Sequence, residues 1–427
     1  MPDYKKRKRN KFASASKRGK GVKEIESKSN DIKMSSHKEN TRKKVDKDLK
    51  VVRGTKLKNR LKVGFYLKAV AVVLVIFLCL EFILPAGVFQ TARNCLSLIG
   101  TGKYPIEFEG ANTLNLESEG GYYYLLTDNS LYCFSGSGKE LFAHQHGFEK
   151  PVLKTSQWGA ILYNQGSTSY LIFDLNGLKE SFTASKPIIT ANISHSGSYA
   201  LVTQADGYES AVYVFNKYGK SLYEWYSSNN IVNNVLISNN SKKIAVTSLI
   251  NKNGGLSSNL SILSFKSATP EYTQDYDNVI YNISYSGNSR ISVITSNKID
   301  FVKWNSFKKT QYSNEYNVSI VKSGNNGTVA VFNRENNRLD NRIAVFSKSG
   351  KLKYQVNFNS SISDIQYFGG HIYCISDTEA FILNKEGKVL RKEPIGFGCE
   401  RFCVLSSNNI AVVSDNKIQK IKLKGVE

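Results

Sequence analysis

The sequence predicts an all-β protein, an eight-bladed β-propeller of four-stranded blades, preceded by one transmembrane helix and a disordered basic tail. Two observations lead to this prediction. A hydrophobic stretch of 27 residues, 63–89, separates a basic N-terminal segment from the rest of the chain. Beyond it, short alternating strands recur at a regular spacing, with only seven prolines in 427 residues. We divide the chain into a tail (1–62), a membrane span (63–89), a linker (90–103) and a propeller (104–427).

The N-terminal tail is expected to be disordered and cytoplasmic. Residues 1–62 contain 23 Lys or Arg against 7 Asp or Glu, and they have too few apolar side chains to offset the chain entropy of folding. The positive-inside rule places this basic side in the cytoplasm and residues 90–427 outside the membrane.

The basic residues nearest the membrane predict contact with anionic lipid. Each basic side chain near such a leaflet gains up to about 1 kcal/mol of attraction. We expect a membrane-surface tether formed by Lys56, Lys58, Arg60 and Lys62. We do not expect nucleic acid as a partner, since no folded module or interleaved aromatic residues accompany the charge.

The hydrophobic stretch is long enough to cross a bilayer. A span needs about 20 apolar residues, and residues 63–89 contain only two charged side chains, Lys68 and Glu81, near the ends. A cleaved signal peptide normally has a charged region of a few residues, whereas 62 residues precede this stretch. We therefore predict an uncleaved signal anchor in the cell membrane; a buried soluble helix and a cleaved signal peptide are the alternatives.

Two strand patterns alternate along residues 104–427. One is an apolar strand followed by a turn that often contains Gly-Lys, because a tight hairpin turn needs a residue at positive φ. The other is a pair of apolar strands around a polar tip, and the tips are 37 to 47 residues apart, near Trp158, Gly197, Asn240, Gly287, Gly324, Gly369 and Ser407. Two hairpins per step give four strands per repeat, and radial repeats of this size are typical of a β-propeller.

Eight blades account for the length of the repeat region. Residues 104–427 number 324, or about 40 per blade. The first blade requires residues 112–118 as its inner strand, and the last blade lacks an outer strand. We predict that residues 104–110 supply that outer strand and so join the two ends of the domain. Seven blades, with the two partial units merged, is the alternative.

The strand and turn pattern resembles the repeats of PQQ-like (quinoprotein-like) and WD40-like propellers. The whole layout resembles a family of single-pass membrane proteins of low-GC Gram-positive bacteria that is classed as a domain of unknown function. This resemblance implies location and architecture and no activity. The docking tryptophans of quinoprotein dehydrogenases are missing as a set, since the corresponding positions hold Phe142, Phe182, Trp225, Tyr272, Tyr312 and Val356. We therefore assign no cofactor.

The histidines and cysteines form no recognisable site. His144 and His146 would share one face of a strand, but a metal site needs three or four ligands, so we interpret them as a surface pair. Cys399 and Cys403 are the one close cysteine pair, and whether they form a disulfide is left open. Nucleophile-elbow, zinc-protease and P-loop patterns do not occur in the sequence. We expect no catalytic residue and no metal.

Two further cysteines, Cys133 and Cys374, lie within apolar strands. A free cysteine in such surroundings behaves as a small hydrophobic residue. We predict that both are core thiols.

The connections between second and third strands emerge on one face and are predicted to be longest in the fourth and sixth blades, at residues 250–259 and 333–341. Long loops on a rigid scaffold are where partners bind. The candidate partner-binding residues are Asn253, Asn259, Arg334, Glu335, Arg338 and Asp340. We predict a non-catalytic, membrane-anchored binding or scaffold protein whose extracytoplasmic propeller binds a protein or a cell-envelope polymer. The alternative is an exported hydrolase or lyase that acts on envelope glycans in the central funnel.

Overall fold

The computed structural model describes residues 55–83, 92, 95–109, 112–252, 254–324, 326–335, 337–399, 401–414 and 416–425. Two units divide the chain, Met1–Lys68 and Ala69–Glu427. The predicted tail up to residue 54 lies outside the described residues, as do residues 84–90 of the predicted span and linker.

One helix, α1 (Thr55–Ile83), covers the end of the predicted tail and most of the predicted span. In the part of the chain that the structure describes, no helix combines the length and the apolar character that a membrane crossing requires. The membrane span therefore stays a prediction. The predicted tether residues lie in α1, with side chains outside the described part of the structure: Lys56, Lys58, Arg60 and Lys62.

The sheet structure begins with a two-residue strand, β1 (Ile106–Glu107). Four antiparallel sheets of four strands follow. Blade 1 consists of β2 (Thr113–Glu119), β3 (Tyr122–Thr127), β4 (Ser130–Ser135) and β5 (Glu140–Gln145). Blade 2 consists of β6 (Pro151–Thr155), β7 (Ala160–Asn164), β8 (Ser169–Asp174) and β9 (Gly177–Thr183). Blade 3 consists of β10 (Ile188–Ile193), β11 (Tyr199–Ala205), β12 (Tyr208–Phe215) and β13 (Ser221–Ser227). Blade 4 consists of β14 (Ile231–Ile237), β15 (Lys243–Lys252), β16 (Gly255–Ser264) and β17 (Tyr272–Tyr276).

The second half of the ring repeats this pattern. Blade 5 consists of β18 (Asn282–Ser286), β19 (Arg290–Ile294), β20 (Lys298–Lys303) and β21 (Lys309–Ser313). Blade 6 consists of β22 (Asn317–Gly324), β23 (Gly327–Arg334), β24 (Asn337–Phe346) and β25 (Leu352–Phe358). Blade 7 begins with β26 (Asp364–Phe368), β27 (His371–Ile375), β28 (Glu379–Leu383) and β29 (Val389–Pro394). Blade 8 begins with β30 (Arg401–Ser406), β31 (Asn409–Ser414) and β32 (Lys417–Lys422), and β33 (Lys424–Gly425) follows.

The eight-bladed prediction is confirmed, and the seven-bladed alternative is wrong. The first strand of each blade contacts the first strand of the next, from β2 through β30 and back to β2, so these eight strands surround a central channel. The predicted inner strand of blade 1, residues 112–118, matches β2.

The ring closes as the sequence predicts, through the N-terminal strand β1. Ile106 pairs with Ile418 and Glu107 with Lys417, so β1 is the outer strand of blade 8. The Lys417 ammonium group lies 3.2 Å from the Glu107 carboxylate. At the other end of the chain, β33 pairs with β29 and adds a fifth strand to blade 7.

The propeller has two different ends. We call one the hairpin face; it carries the connections between second and third strands and those between blades. The other, the turn face, carries the connections between first and second strands and between third and fourth strands. The chain reaches the propeller at the turn face, where the Lys139 ammonium group donates hydrogen bonds to the carbonyls of Ser97 (3.1 Å) and Ile99 (2.8 Å). Lys139 belongs to the turn between β4 and β5.

Buried side chains fill the space between neighbouring blades. At the seam, Leu116 and Phe134 of blade 1 pack in one cluster with Val413 of blade 8. The middle strands are covered on both faces, and every side chain of β3 is buried. A strand buried on both faces is continuously apolar instead of alternating. Each fully buried Val, Leu or Phe contributes roughly 1.5–3 kcal/mol, so blade-to-blade packing dominates the stability.

Aromatic side chains of the outer strands pack on the next blade. Phe142 of blade 1 stacks on Phe173 of blade 2, with ring centroids 5.5 Å apart. The Trp225 indole donates a hydrogen bond of 3.1 Å to the Ala268 carbonyl of blade 4. Two positions that correspond to the docking tryptophans of quinoprotein-like repeats, Phe142 and Trp225, therefore each contact the next blade.

The glycines in the turns between third and fourth strands have a second role beside positive φ. At Gly350 in blade 6, φ is +74°, and a Cβ atom would lie 2.3 Å from Cγ of Phe301 in blade 5. The preceding blade thus fills the space that a side chain at this turn would need.

We expect Gly350→Ala to lower the free energy of unfolding by about 2–4 kcal/mol, because it adds an overlap with Phe301 to the strain of positive φ. Gly369→Ala is the matched control: φ is +58°, and no atom lies within 4 Å of the added Cβ, so only about 1 kcal/mol should be lost. Urea unfolding of the full chain measures both variants. Equal losses would contradict the proposed blade contact.

Candidate functional site

Blades 4 and 6 extend farther on the hairpin face than the sequence predicted. We expected loops at residues 250–259 and 333–341, but most of the described residues in these ranges belong to paired strands instead. Asn251 pairs with Leu256 in blade 4, and Arg334 pairs with Asn337 in blade 6. A ladder of backbone hydrogen bonds forms without buried side chains, which is why the polar sequence at these tips did not reveal the strands.

The predicted partner-binding residues have different surroundings. Arg334 and Glu335 are exposed at the tip of the blade 6 hairpin. Asp340 accepts a hydrogen bond of 3.0 Å from the Tyr316 hydroxyl, so its carboxylate supports the base of that hairpin.

In blade 4, Asn259 lies within the sheet, where it pairs with Ser248. Its amide donates a hydrogen bond of 2.8 Å to Asp275. The structure thus gives Asn259 a role within the sheet of its own blade. Asn253, at the tip of the same hairpin, lies outside the described residues.

Exposed apolar side chains follow one another along the hairpin face of blades 3 to 5. Tyr208 and Tyr226 are in contact, with ring centroids 5.0 Å apart. Leu256 is 60% exposed and Tyr281 is 63% exposed. Exposed apolar groups clustered on one surface mark interaction sites. We name this set the apolar patch: Tyr208, Tyr226, Ile231, Leu256 and Tyr281.

A cavity of 360 Å³ opens on the same face at blades 6 to 8. Arg338 from the blade 6 hairpin, Asp377 and Arg401 line it. Phe397, in the connection between blades 7 and 8, stands at this cavity with 83% of its surface exposed. The structure thus brings the predicted residue Arg338 to a cavity.

The histidine and cysteine predictions can be compared with the structure directly. His144 lies on β5, where it contacts the Phe173 ring. His146 directly follows this strand and accepts a hydrogen bond from the backbone amide of Phe148. Among the described residues, no three His, Cys, Asp or Glu side chains are grouped to hold a metal ion.

Among the described residues, no two cysteines form a disulfide. Cys399 and Cys403 therefore form no disulfide in this structure, and both are buried. Cys133 and Cys374 are buried core thiols, as predicted. Burial raises the pKa of the Cys133 thiol well above its usual value, which keeps it protonated and unreactive.

A second cavity, which the sequence did not reveal, lies in the central channel near the turn face. Its volume is 230 Å³. The C-terminal ends of the inner strands of blades 1 to 6 contribute its walls. We call it the channel cavity. Its charged or titratable lining residues are Glu117, Glu119, Lys154 and His195.

The carboxyl group of Glu119 is strongly perturbed. Glu119 keeps part of its surface exposed, yet burial and, to a smaller extent, the charge of Glu117 raise its pKa to about 8, against the effect of a hydrogen bond with Thr155. Glu119 is therefore mostly a neutral acid at pH 7. Burial also lowers the pKa of the Lys154 ammonium group, against the influence of Glu117.

The remaining wall of the channel cavity is held by hydrogen bonds. The Tyr285 hydroxyl donates to the Ile237 carbonyl at 2.5 Å, and its ring packs on His195 with centroids 5.2 Å apart. Nδ1 of His195 accepts a hydrogen bond of 3.3 Å from the backbone amide of Gln157. Burial lowers the pKa of His195, so this imidazole is neutral and the wall is rigid and polar.

The sequence contained one signal for this cavity. Glu117 and Glu119 are two residues apart in a strand, so both side chains leave the same face, and that face is the channel face of β2. Lys154 and His195 could not be connected to them, because they come from other blades and no fixed spacing relates them.

The fold defines a class of protein, an eight-bladed β-propeller, and this one has a cavity at the hairpin face and another in the channel near the turn face. The chain belongs to the family described as Family of unknown function (DUF5711), whose model matches residues 103–423. No curated protein matches the chain.

Solved structures of other propellers are similar to this one. Saccharomyces cerevisiae Sqt1 is 6% identical, with a TM-score of 0.53 over 74% of this chain and 98% of Sqt1. BamB from Moraxella catarrhalis is 7% identical, with a TM-score of 0.47 over 74% of this chain and 99% of BamB. Kluyveromyces lactis Hsv2 is 12% identical, with a TM-score of 0.44 over 65% of this chain and 98% of Hsv2. The likeness to Sqt1 supports the fold alone.

The raised pKa of Glu119 predicts a specific pH dependence. Because the folded state binds this proton more tightly than the unfolded state, stability should fall as pH rises from about 4.5 to about 8. In Glu119→Gln that loss is absent. Between pH 5.5 and 8.5, we expect wild type to lose about 1–2 kcal/mol more free energy of unfolding than the variant.

Urea unfolding at several pH values measures this difference. Glu149→Gln, at an exposed position between blades 1 and 2, is the control and should keep the wild-type slope. A Glu119→Gln variant with the wild-type slope would show that Glu119 does not bind its proton more tightly in the folded state.

Proposed function

We propose that this protein is a non-catalytic binding module, anchored in the cell membrane, whose propeller lies outside and binds a protein or a cell-envelope polymer through its hairpin face. The observation that carries the proposal is the combination of the apolar patch with the two long hairpins of blades 4 and 6 on one face of a rigid ring. Such a surface offers a partner apolar area that can be buried and two projecting hairpins that can be contacted.

The cavity beside the blade 6 hairpin supports the same face. Arg338 and Phe397 stand together at its lining, and exposed aromatic residues and arginines are the residue types that contribute most binding energy in protein interfaces. Arg334 and Glu335 at the nearby tip provide a polar rim. The proposed partner surface thus extends from blade 3 to blade 8.

The proposed membrane anchor rests on the sequence and on the exposure of α1. Apolar side chains of this helix are open to the surroundings, among them Phe65, Leu67 and Val73. The stretch 63–89 has the length of a span, and the basic excess before it favours a cytoplasmic N-terminus. The resemblance to single-pass proteins of low-GC Gram-positive bacteria points the same way.

The site of chain attachment fits this arrangement. Residues 97–100 are held at the turn face by the Lys139 ammonium group and the Ser137 hydroxyl. A tether that enters at this face leaves the hairpin face open for a partner.

A second candidate function, an exported hydrolase or lyase acting on envelope glycans, has one observation in its favour. Glu119, with its raised pKa, and Glu117 share the channel cavity, and paired carboxyl groups with different proton affinities serve as acid and base in such enzymes. Release of reducing ends from purified peptidoglycan or teichoic acid, lost in Glu119→Gln, would establish this function in place of the first.

The partner-binding face can be tested with a triple variant, Leu256→Ser, Leu339→Ser and Phe397→Ser, all at exposed positions of the hairpin face. Removing these apolar contacts should lower recovery of crosslinked envelope partners from native membranes by roughly tenfold or more. The partners that are crosslinked to the full chain and purified with it are quantified by mass spectrometry.

A matched triple variant on the turn face provides the control: Tyr218→Ser, Leu352→Ser and Phe368→Ser, also exposed. It should retain the wild-type partners. If the two variants lose the same partners equally, or if neither loses any, the hairpin face is not the binding surface.

Sidedness can be tested with cysteine labelling. In a Cys79→Ser, Cys95→Ser background, which removes the two exposed thiols, Tyr218→Cys should react with a membrane-impermeant maleimide on intact cells. Ser27→Cys should react only after permeabilisation, because the tail lies inside. The reverse pattern, or labelling of neither position before lysis, would contradict the proposed location.

A further inference from the structure

The channel cavity contains charges of both signs that are not paired with each other. Lys154 comes from blade 2, and Glu117 and Glu119 come from blade 1. The ion pairs formed within 4.0 Å by the described residues include none that joins Lys154 to either carboxylate. Glu117 accepts one hydrogen bond, of 3.3 Å, from the Asn115 amide.

Charged groups taken partly out of water are costly unless an opposite charge contacts them. The charge of Glu117 favours the charged form of Lys154, although no ion pair joins the two side chains, so a molecule that carries both a carboxylate and an ammonium group would satisfy both at once. A neutral sugar would leave both charges uncompensated, and a simple anion or cation would satisfy only one of them.

The size and walls of the cavity limit the ligand further. Its volume of 230 Å³ is below the roughly 300–1,000 Å³ of drug-sized sites. Amide and hydroxyl groups, including those of Asn192, Asn282 and Ser284, line other parts of it, beside the apolar residues Leu153, Leu236 and Ile283. These groups can donate to a carboxylate or accept from an ammonium group.

We propose that the channel cavity binds a free α-amino acid, whose carboxylate contacts Lys154 and whose ammonium group contacts Glu117. Glu119, as a neutral acid, donates a hydrogen bond to the same carboxylate. This site is at the opposite end of the ring from the hairpin face. Binding of a small ligand there is therefore independent of the proposed binding of a partner.

The rim of the cavity lets such a ligand enter. Gly287 and Gly324 both line it and contribute no side chain. At Gly324 an added Cβ would have no atom within 4 Å, and its φ is not in the left-handed region. A large side chain fits there without disturbing the fold, and it would occupy the mouth.

The test is isothermal titration of the detergent-purified full chain with glycine, L-alanine, D-alanine, L-glutamate and L-lysine. At least one should bind with a Kd of about 1 mM or tighter. Its amide, which lacks the carboxylate, and its N-acetyl derivative, which lacks the ammonium group, should each bind about tenfold or more weakly.

Three variants identify the site. Lys154→Met should weaken binding of the amino acid about tenfold and leave binding of its amide unchanged, whereas Glu117→Gln should weaken binding of both. Gly324→Phe should abolish binding by filling the mouth, and it keeps the test valid if a charge variant does not fold. Lys388→Met, at an exposed turn of blade 7, is the control and should bind as wild type.

Several outcomes would overturn the proposal. The first is that none of the five amino acids binds at 10 mM, roughly ten times the weakest Kd expected. The second is that the amide and the N-acetyl derivative bind as tightly as the parent amino acid. The third is that glucose binds as tightly as the amino acid. Loss of partners in the hairpin-face variant is measured separately, so failure of one proposal leaves the other standing.

Discussion

Closure of the ring is the constraint on which the rest of the structure depends. In seven blades the first four strands are consecutive in sequence, but blade 8 needs β1 from the other end of the chain as its outer strand. Without that pairing, blades 1 and 8 would each expose an apolar face such as the one that contains Leu116 and Val413. The channel cavity and the hairpin face both require a closed ring. Each is formed by residues of several blades, and closure fixes the positions of the blades relative to one another.

The repeat architecture could be predicted from the sequence because its signals are local. The polar tips near Gly197 and Gly287 lie between first and second strands as predicted, since a tight turn and an apolar strand each leave a mark within about ten residues. The closing strand was also predictable, because the last blade lacked a fourth strand and residues 104–110 had no other place in the repeat.

The surfaces were less predictable, for physical reasons that differ between them. The hairpin extension at Asn251 and Leu256 is held by backbone hydrogen bonds, which leave no pattern in the side chains. Phe397 was missed because a single aromatic residue in a connection looks like a core residue until its exposure is known. The channel cavity is lined by residues between Asn115 and Gly324 in the sequence, and only the three-dimensional arrangement of the blades relates them.

The attachment at the turn face determines how the molecule responds to tension. β1 is short: it forms two residue pairs with β32, Ile106 with Ile418 and Glu107 with Lys417, and the next residue, Phe108, donates a backbone hydrogen bond of 3.1 Å to the Asn416 carbonyl. A pull along the chain from the N-terminal side meets the hydrogen bonds of Lys139 to Ser97 and Ile99 before it reaches that strand. Lys139 therefore transmits part of such a mechanical load into blade 1 before the load reaches the short strand that closes the ring.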